Sequence, residues 1–131
     1  MPEFKLDIVT PERTAYTGVV ESLRAPGTAG GFGVLPRHAP MLAALAAGPV
    51  AFVADGARQE MAISGGFAEI LGDSVTVLAE TAERPNEIDI ARAQAARDRA
   101  RDRLRQRESD TERARASLMR AINRLRVAGG S

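Results

Sequence analysis

All five aromatic residues of the chain (Phe4, Tyr16, Phe32, Phe52 and Phe67) lie at or before residue 67. From residue 87 on the chain is dominated by arginine and alanine. Such a chain cannot fill one continuous core with large side chains along its whole length. It must fold as two parts with different packing. Charge divides in the same way. Residues 1–86 carry six basic and ten acidic side chains, giving −4, and residues 87–131 carry twelve and seven, giving +5. The border falls near Pro85-Asn86, so the expected parts are 1–86 and 87–131.

The first part reads as short strands. Phe4, Leu6 and Ile8 alternate with Lys5 and Asp7, the period of a half-buried strand. Pro11-Glu12 marks a turn, and Val19-Val20 with Leu23 reads as the second strand. Pro26 to Gly31 reads as a loop. Met41–Ala46 and Val50–Ala54 are apolar runs that Gly48-Pro49 is expected to separate. Asp55-Gly56 is a hairpin turn of the kind that tolerates positive φ. Gly65-Gly66 separates Met61 and Ile63 from Phe67 and Ile70, and Gly72-Asp73 leads into Val75 and Val77. Turn signals every 8–12 residues predict a sandwich or barrel.

The second part reads as two helices. Asn86 or Asp89 is placed to cap the first. Ala93, Ala96, Ala100 and Leu104 share one face of it. The pattern breaks at Glu108-Ser109-Asp110. Ala114, Leu118, Ala121, Ile122 and Leu125 then share a face of the second helix, which Gly129-Gly130 ends. A short polar break between amphipathic helices predicts an antiparallel hairpin. Its alanine-rich seam is thin, at ~0.8 kcal/mol per buried methyl, so undocking is cheap. Residues 89–106 and 111–127 are each about 26 Å long as helices, and the segment straightened through the break would reach about 58 Å.

Composition removes several kinds of chemistry. With no cysteine there is no disulfide, thiolate metal site or cysteine nucleophile. His38 is the one histidine and Lys5 the one lysine, so neither a histidine metal cage nor a Gly-Lys phosphate loop exists within the chain. Met1-Pro2-Glu3 does not begin a secretory signal. The run 41–54 is too short for a membrane helix, so direct membrane insertion is not expected. No nucleophile–base pair is visible, and the chain is read as non-catalytic.

Several residues invite a functional reading beside a plain one. Arg97, Arg101 and Arg105 form one stripe, and Arg99, Arg103 and Arg107 another. Asp98 and Asp102 partly offset them, so a solvated face competes with a surface for acidic protein or phosphate. Nucleic acid is not the expected partner, because this part has no aromatic to stack a base. Gly30-Gly31-Phe32-Gly33 precedes Leu35-Pro36 rather than a helix, so it reads as a tight inter-strand turn. His38 in that loop is either simply exposed or an interface residue. Asp89 and Arg92, one turn apart, read as a cap with its neighbour. Arg120 and Arg124 are also one turn apart, and no acid lies within four residues of either. An external anion would explain them.

The blocks LDIVTPER, GGFGVLPRHAP, ISGGFAEI, VTVLAETAER and IDIARA occur in that order along the chain. With them the sequence resembles the epsilon subunit family of F-type ATP synthases over essentially its whole length. The resemblance implies an α+β fold, with an N-terminal flattened antiparallel β-sandwich and a C-terminal antiparallel α-helical hairpin. It implies a non-catalytic rotor-stalk subunit that couples proton flow to rotation. Its partners would be the gamma subunit, against one side of the sandwich, and the c-ring, touched by the loop with Gly30, Gly31, Phe32 and His38. When the helices extend they would reach the catalytic alpha and beta subunits and inhibit ATP hydrolysis. No cofactor is required, but ATP is implied as a regulatory ligand. Ile88-Asp89-Ile90-Ala91-Arg92-Ala93 matches the family's ATP motif, and Glu83, Arg99, Arg120 and Arg124 match its other binding residues. The place implied is peripheral, on the cytoplasmic face of the bacterial plasma membrane, through the complex. A rival reading from another class is a free-standing adaptor, with a protein-binding sandwich and a basic hairpin for a second partner.

Overall fold

The computed structural model of the chain describes residues 2–106 and 111–129. It divides into two compact units, one up to Glu83 and one from Arg84 on. The expected break at Glu108-Ser109-Asp110, Arg107 and Gly130 lie outside the described residues.

The first unit is built from β1 (Phe4–Val9), β2 (Thr14–Val20), β3 (Ser22–Ala25), β4 (Phe32–Val34), β5 (Met41–Ala54), β6 (Ala57–Leu71), β7 (Ser74–Ala79) and β8 (Ala82–Glu83). Their order is β2-β1-β7-β6-β5-β3-β4, with β8 on β6. One long hairpin, β5–β6, runs through both layers of the sandwich. Its Met41 end pairs across β6 with β7, and its other end pairs with β3 and β8. The two-residue turn between them holds Asp55 at φ 51° and Gly56 at φ 75°. That is the pair of positive angles which matches the twist of the flanking strands.

The inward face of this hairpin changes partway along. On β6 Met61, Ala62 and Ile63 are buried, then Ala68 and Ile70, so the large inward side chains move from odd to even positions. Between them Gly65 and Gly66 have φ 118° and 149°, which turn the strand over. A Cβ on Gly66 would lie 1.9 Å from the Leu78 carbonyl oxygen. No side chain fits there, so β6 and β7 close on each other at a point that only glycine permits.

Alternation fills the core as expected on β1, where Phe4, Leu6 and Ile8 are buried, and on β7, where Val75 and Val77 are. Four expectations need correction. Val19-Val20 and Leu23 belong to two strands, β2 and β3, separated at Glu21. The Gly30–His38 loop contains a strand, β4, paired with β3. Gly48-Pro49 does not interrupt β5. At Pro49 this strand pairs with β6 alone, since its ladder with β3 covers only Ala51 to Val53. A missing N–H costs nothing on that open side. The sheet is also not purely antiparallel, because β1 and β7 run parallel, Leu6 opposite Val75.

The second unit begins with a 3₁₀ turn over Pro85–Glu87, in which Glu87 Oε1 accepts the Arg84 N–H at 2.8 Å. Two helices follow, α1 (Ile90–Gln106) and α2 (Thr111–Ala128), and they pack on each other. Ala93 and Ala100 are buried on α1, and Ala114, Ala121, Leu125 and Val127 on α2. Ala96, Leu104, Leu118 and Ile122 are half-buried. Two alanines seven residues apart on α1 mean that the helices meet backbone to backbone, with little apolar surface between them.

Candidate functional site

Of the two candidate caps, Asp89 is the one used. Its Oδ1 accepts the backbone N–H of Arg92 at 3.0 Å, and its carbonyl accepts that of Ala93 at 3.0 Å. The carboxylate is therefore held at the start of α1 by the backbone itself. It remains exposed, and the oxygen not engaged in the cap is available to a ligand. Ile88 is buried just before it, and Ala93 is fully buried just after. This part of the motif is structural: the two apolar positions anchor the turn that carries the acid.

Arg92 and Arg99 are both exposed on α1. Seven residues are nearly two turns, so they share a face about 10 Å apart. On α2, Arg120 is exposed and Arg124 half-buried, one turn or about 6 Å apart. Arg120 Nη2 donates to Ser117 Oγ at 3.0 Å, so its local partner is a neutral hydroxyl one turn back rather than an acid. In an antiparallel hairpin the C-terminal end of α2 lies beside the N-terminal end of α1. The 3₁₀ turn that leads into α1 accordingly contacts α2. The four guanidinium groups thus belong to one helical unit, with a fixed carboxylate at its end. Such a donor set fits a polyanion with a neutral, hydrogen-bonding portion, and it fits no metal. Among the described residues no group of acids and histidine is placed to hold one. Glu83 sits in the other unit, half-buried on β8 and opposite Ala62 of β6.

The arginine stripes are mostly solvated. Arg101, Arg103 and Arg105 are exposed, and half-buried Arg97 pairs with its neighbour Asp98 at 3.3 Å. The loop residues divide by role. Gly30 and Gly31 are exposed, with the Gly30 N–H on the Gly27 carbonyl at 3.0 Å. Phe32 is half-buried and packs on the sandwich core, so much of its ring serves the fold. His38 is half-buried, and its Nδ1 donates to the Ala39 carbonyl at 2.7 Å. Arg37 beside it is exposed in the turn that follows Pro36, and nothing in the local sequence pattern singles it out.

Comparison with known proteins agrees with this architecture. The family model for the ATP synthase delta/epsilon chain β-sandwich domain matches residues 3–85, and the one for the long α-helix domain of the same chain matches residues 86–129. The ATP synthase epsilon chain of Nitratidesulfovibrio vulgaris is 48% identical over 128 residues, covering 96% of each chain. That of Halalkalibacterium halodurans is 43% identical over 132 residues, covering 98% of this chain and 99% of the other. Among solved structures, a chain of the Euglena gracilis mitochondrial ATP synthase aligns with TM-score 0.74 at 21% identity, covering 99% of this chain and 79% of that one. A chain from the central stalk and c-ring of the Tetrahymena thermophila mitochondrial enzyme aligns with TM-score 0.63 at 10% identity, covering 95% and 96%. These two likenesses concern the fold. With a sandwich and a helical hairpin that match the two family domains in order and extent, the chain belongs to the epsilon chain family of ATP synthases.

Proposed function

We propose that this chain is a non-catalytic subunit of the central rotor stalk, bound to gamma and the c-ring through its sandwich, and that its hairpin is a regulatory element. The observation that carries the reading is the full-length match of both family domains, at near 50% identity to an epsilon chain. The peripheral place at the membrane follows from that assembly. No described helix is long and apolar enough to cross a membrane. A chain truncated after residue 86 should still co-purify with gamma. Loss of gamma in that experiment would overturn the division of labour between the two parts.

ATP on the folded hairpin is the regulatory half of the proposal. Asp89 would accept a hydrogen bond from the adenine amino group or the ribose. Arg92, Arg99, Arg120 and Arg124 would hold the phosphates by charge-assisted bonds. What supports this is the cap, which fixes the Asp89 carboxylate, and four guanidinium groups on one two-helix unit. Extension of the helices toward the catalytic head, with inhibition of hydrolysis, would follow when ATP leaves.

A further inference from the structure

Arg37 occupies a backbone conformation that its own side chain disfavours. Its φ is 64°, and it follows Pro36 in the turn between β4 and β5. Proline followed by a residue with positive φ is the type II turn pattern, which takes glycine or asparagine at that place. One other non-glycine among the described residues has positive φ, Asp55 at 51°. Asp55 is accounted for, since its hairpin turn requires the angle and aspartate tolerates it. The turn after Pro36 asks for the angle at Arg37 too, but arginine is not one of the residues that tolerate it. Arg37 is exposed, and among the described residues it makes no hydrogen bond or ion pair. The fold therefore bears a strained arginine that gives it nothing in return. Strain of this kind, held in a loop, points to use of the side chain elsewhere.

We infer that Arg37 is a recognition residue that takes a carboxylate of a partner protein in the assembled complex. The inference rests on the reading of Gly30–His38 as an interface loop and adds to it the group that decides specificity. Guanidinium presents a planar fork that suits a carboxylate bidentately. Leu35, two residues earlier, is 65% exposed, so the turn offers an apolar contact beside the cation. Apolar surface next to arginine is what a protein partner reads. An anionic lipid surface would call for several cations, and from Pro26 to Pro40 Arg37 is the one arginine or lysine.

The test uses the full chain and the detergent-solubilised synthase stripped of it. Arg37→Gly and Arg37→Asn remove the cation and relieve the angle. Each should melt no lower than the wild type, up to about 5 °C higher, and rebind the stripped complex at least tenfold more weakly. Arg37→Lys keeps the charge and should recover part of that loss. Leu35→Asp probes the loop separately. If Arg37→Gly rebinds as tightly as wild type while Leu35→Asp does not, the interface stands and the role of Arg37 falls. If both rebind normally, the interface reading falls as well. A melting temperature lowered by the glycine variant would mean a structural role and overturn the inference. So would wild-type binding to phosphatidylcholine vesicles that appears only with phosphatidylglycerol and is lost in Arg37→Gly.

Discussion

Tyr16 on β2 and Phe52 on β5 stack with ring centroids 4.4 Å apart and planes tilted by 48°. Four hydrogen-bonded ladders separate their strands along the sheet, from β2 through β1, β7 and β6 to β5. The contact is thus made across the core, where one layer of the sandwich faces the other. Phe52 is buried and Tyr16 half-buried. Phe52→Ala should cost about 3–5 kcal/mol in urea unfolding. A double-mutant cycle with Tyr16→Ala should give a coupling of about 0.5–1.5 kcal/mol. Zero coupling would mean that the rings share a cavity without holding the layers together.

Gly66 and Gly72 both have positive φ, but only Gly66 is obstructed. A Cβ on Gly72 meets nothing within 4 Å, whereas on Gly66 it would meet the Leu78 carbonyl. Gly66→Ala should therefore destabilise the sandwich by about 3 kcal/mol or more, and Gly72→Ala by about 1–2 kcal/mol. Equal midpoints in urea would contradict the close approach of β6 and β7.

The two functions assigned to Asp89 separate by substitution. Asparagine caps a helix nearly as well as aspartate, while alanine loses about 1 kcal/mol. Asp89→Asn should keep the circular dichroism of the hairpin and weaken ATP binding in calorimetry. Unchanged ATP affinity in that variant would leave the carboxylate as a cap alone.

Arg92 contributes a charge-assisted contact worth about 1.5–3 kcal/mol if it meets a phosphate. Arg92→Ala should then weaken ATP binding at least tenfold. The Arg92 backbone N–H that caps onto Asp89 is untouched by the substitution, so helicity serves as the internal control. A variant with wild-type affinity would detach the motif from nucleotide binding.

A disulfide across the hairpin tests extension. With cysteines at Ala93 and at a facing position on α2, the oxidised complex should lose any inhibition of hydrolysis that depends on this chain. Reduction should restore it. ATP bound to the folded hairpin would favour that form by mass action, so on the proposed reading inhibition should also fall as ATP rises above its dissociation constant. Inhibition that survives complete cross-linking would exclude extension.

The elements visible in the sequence were those set by neighbours along the chain. The alternation of Phe4, Leu6 and Ile8, the Asp55-Gly56 turn and the seam through Ala93 and Ala100 all depend on local spacing, and all are present. Continuity of β5 through Pro49 was not visible, because it depends on which side of the strand lacks a neighbour. The parallel pairing of β1 with β7 depends on a segment far along the chain, and no local pattern reports it. At the candidate site the Asp89 cap was legible as one of two alternatives. The strain at Arg37 was not, because a backbone angle follows from how the chain turns between β4, on the edge beyond β3, and β5 rather than from composition.

The parallel pairing has a consequence in time. Leu6 of β1 lies opposite Val75 of β7, 69 residues further on. At a synthesis rate of ~5–20 residues per second, β7 follows β1 out of the ribosome by roughly 3–14 s. The β1–β2 and β5–β6 hairpins close within about 10 microseconds once their strands are available. For those seconds Phe4, Leu6 and Ile8 have one strand neighbour and no finished core. The nascent chain therefore carries the apolar face of β1 unfinished through most of its own synthesis.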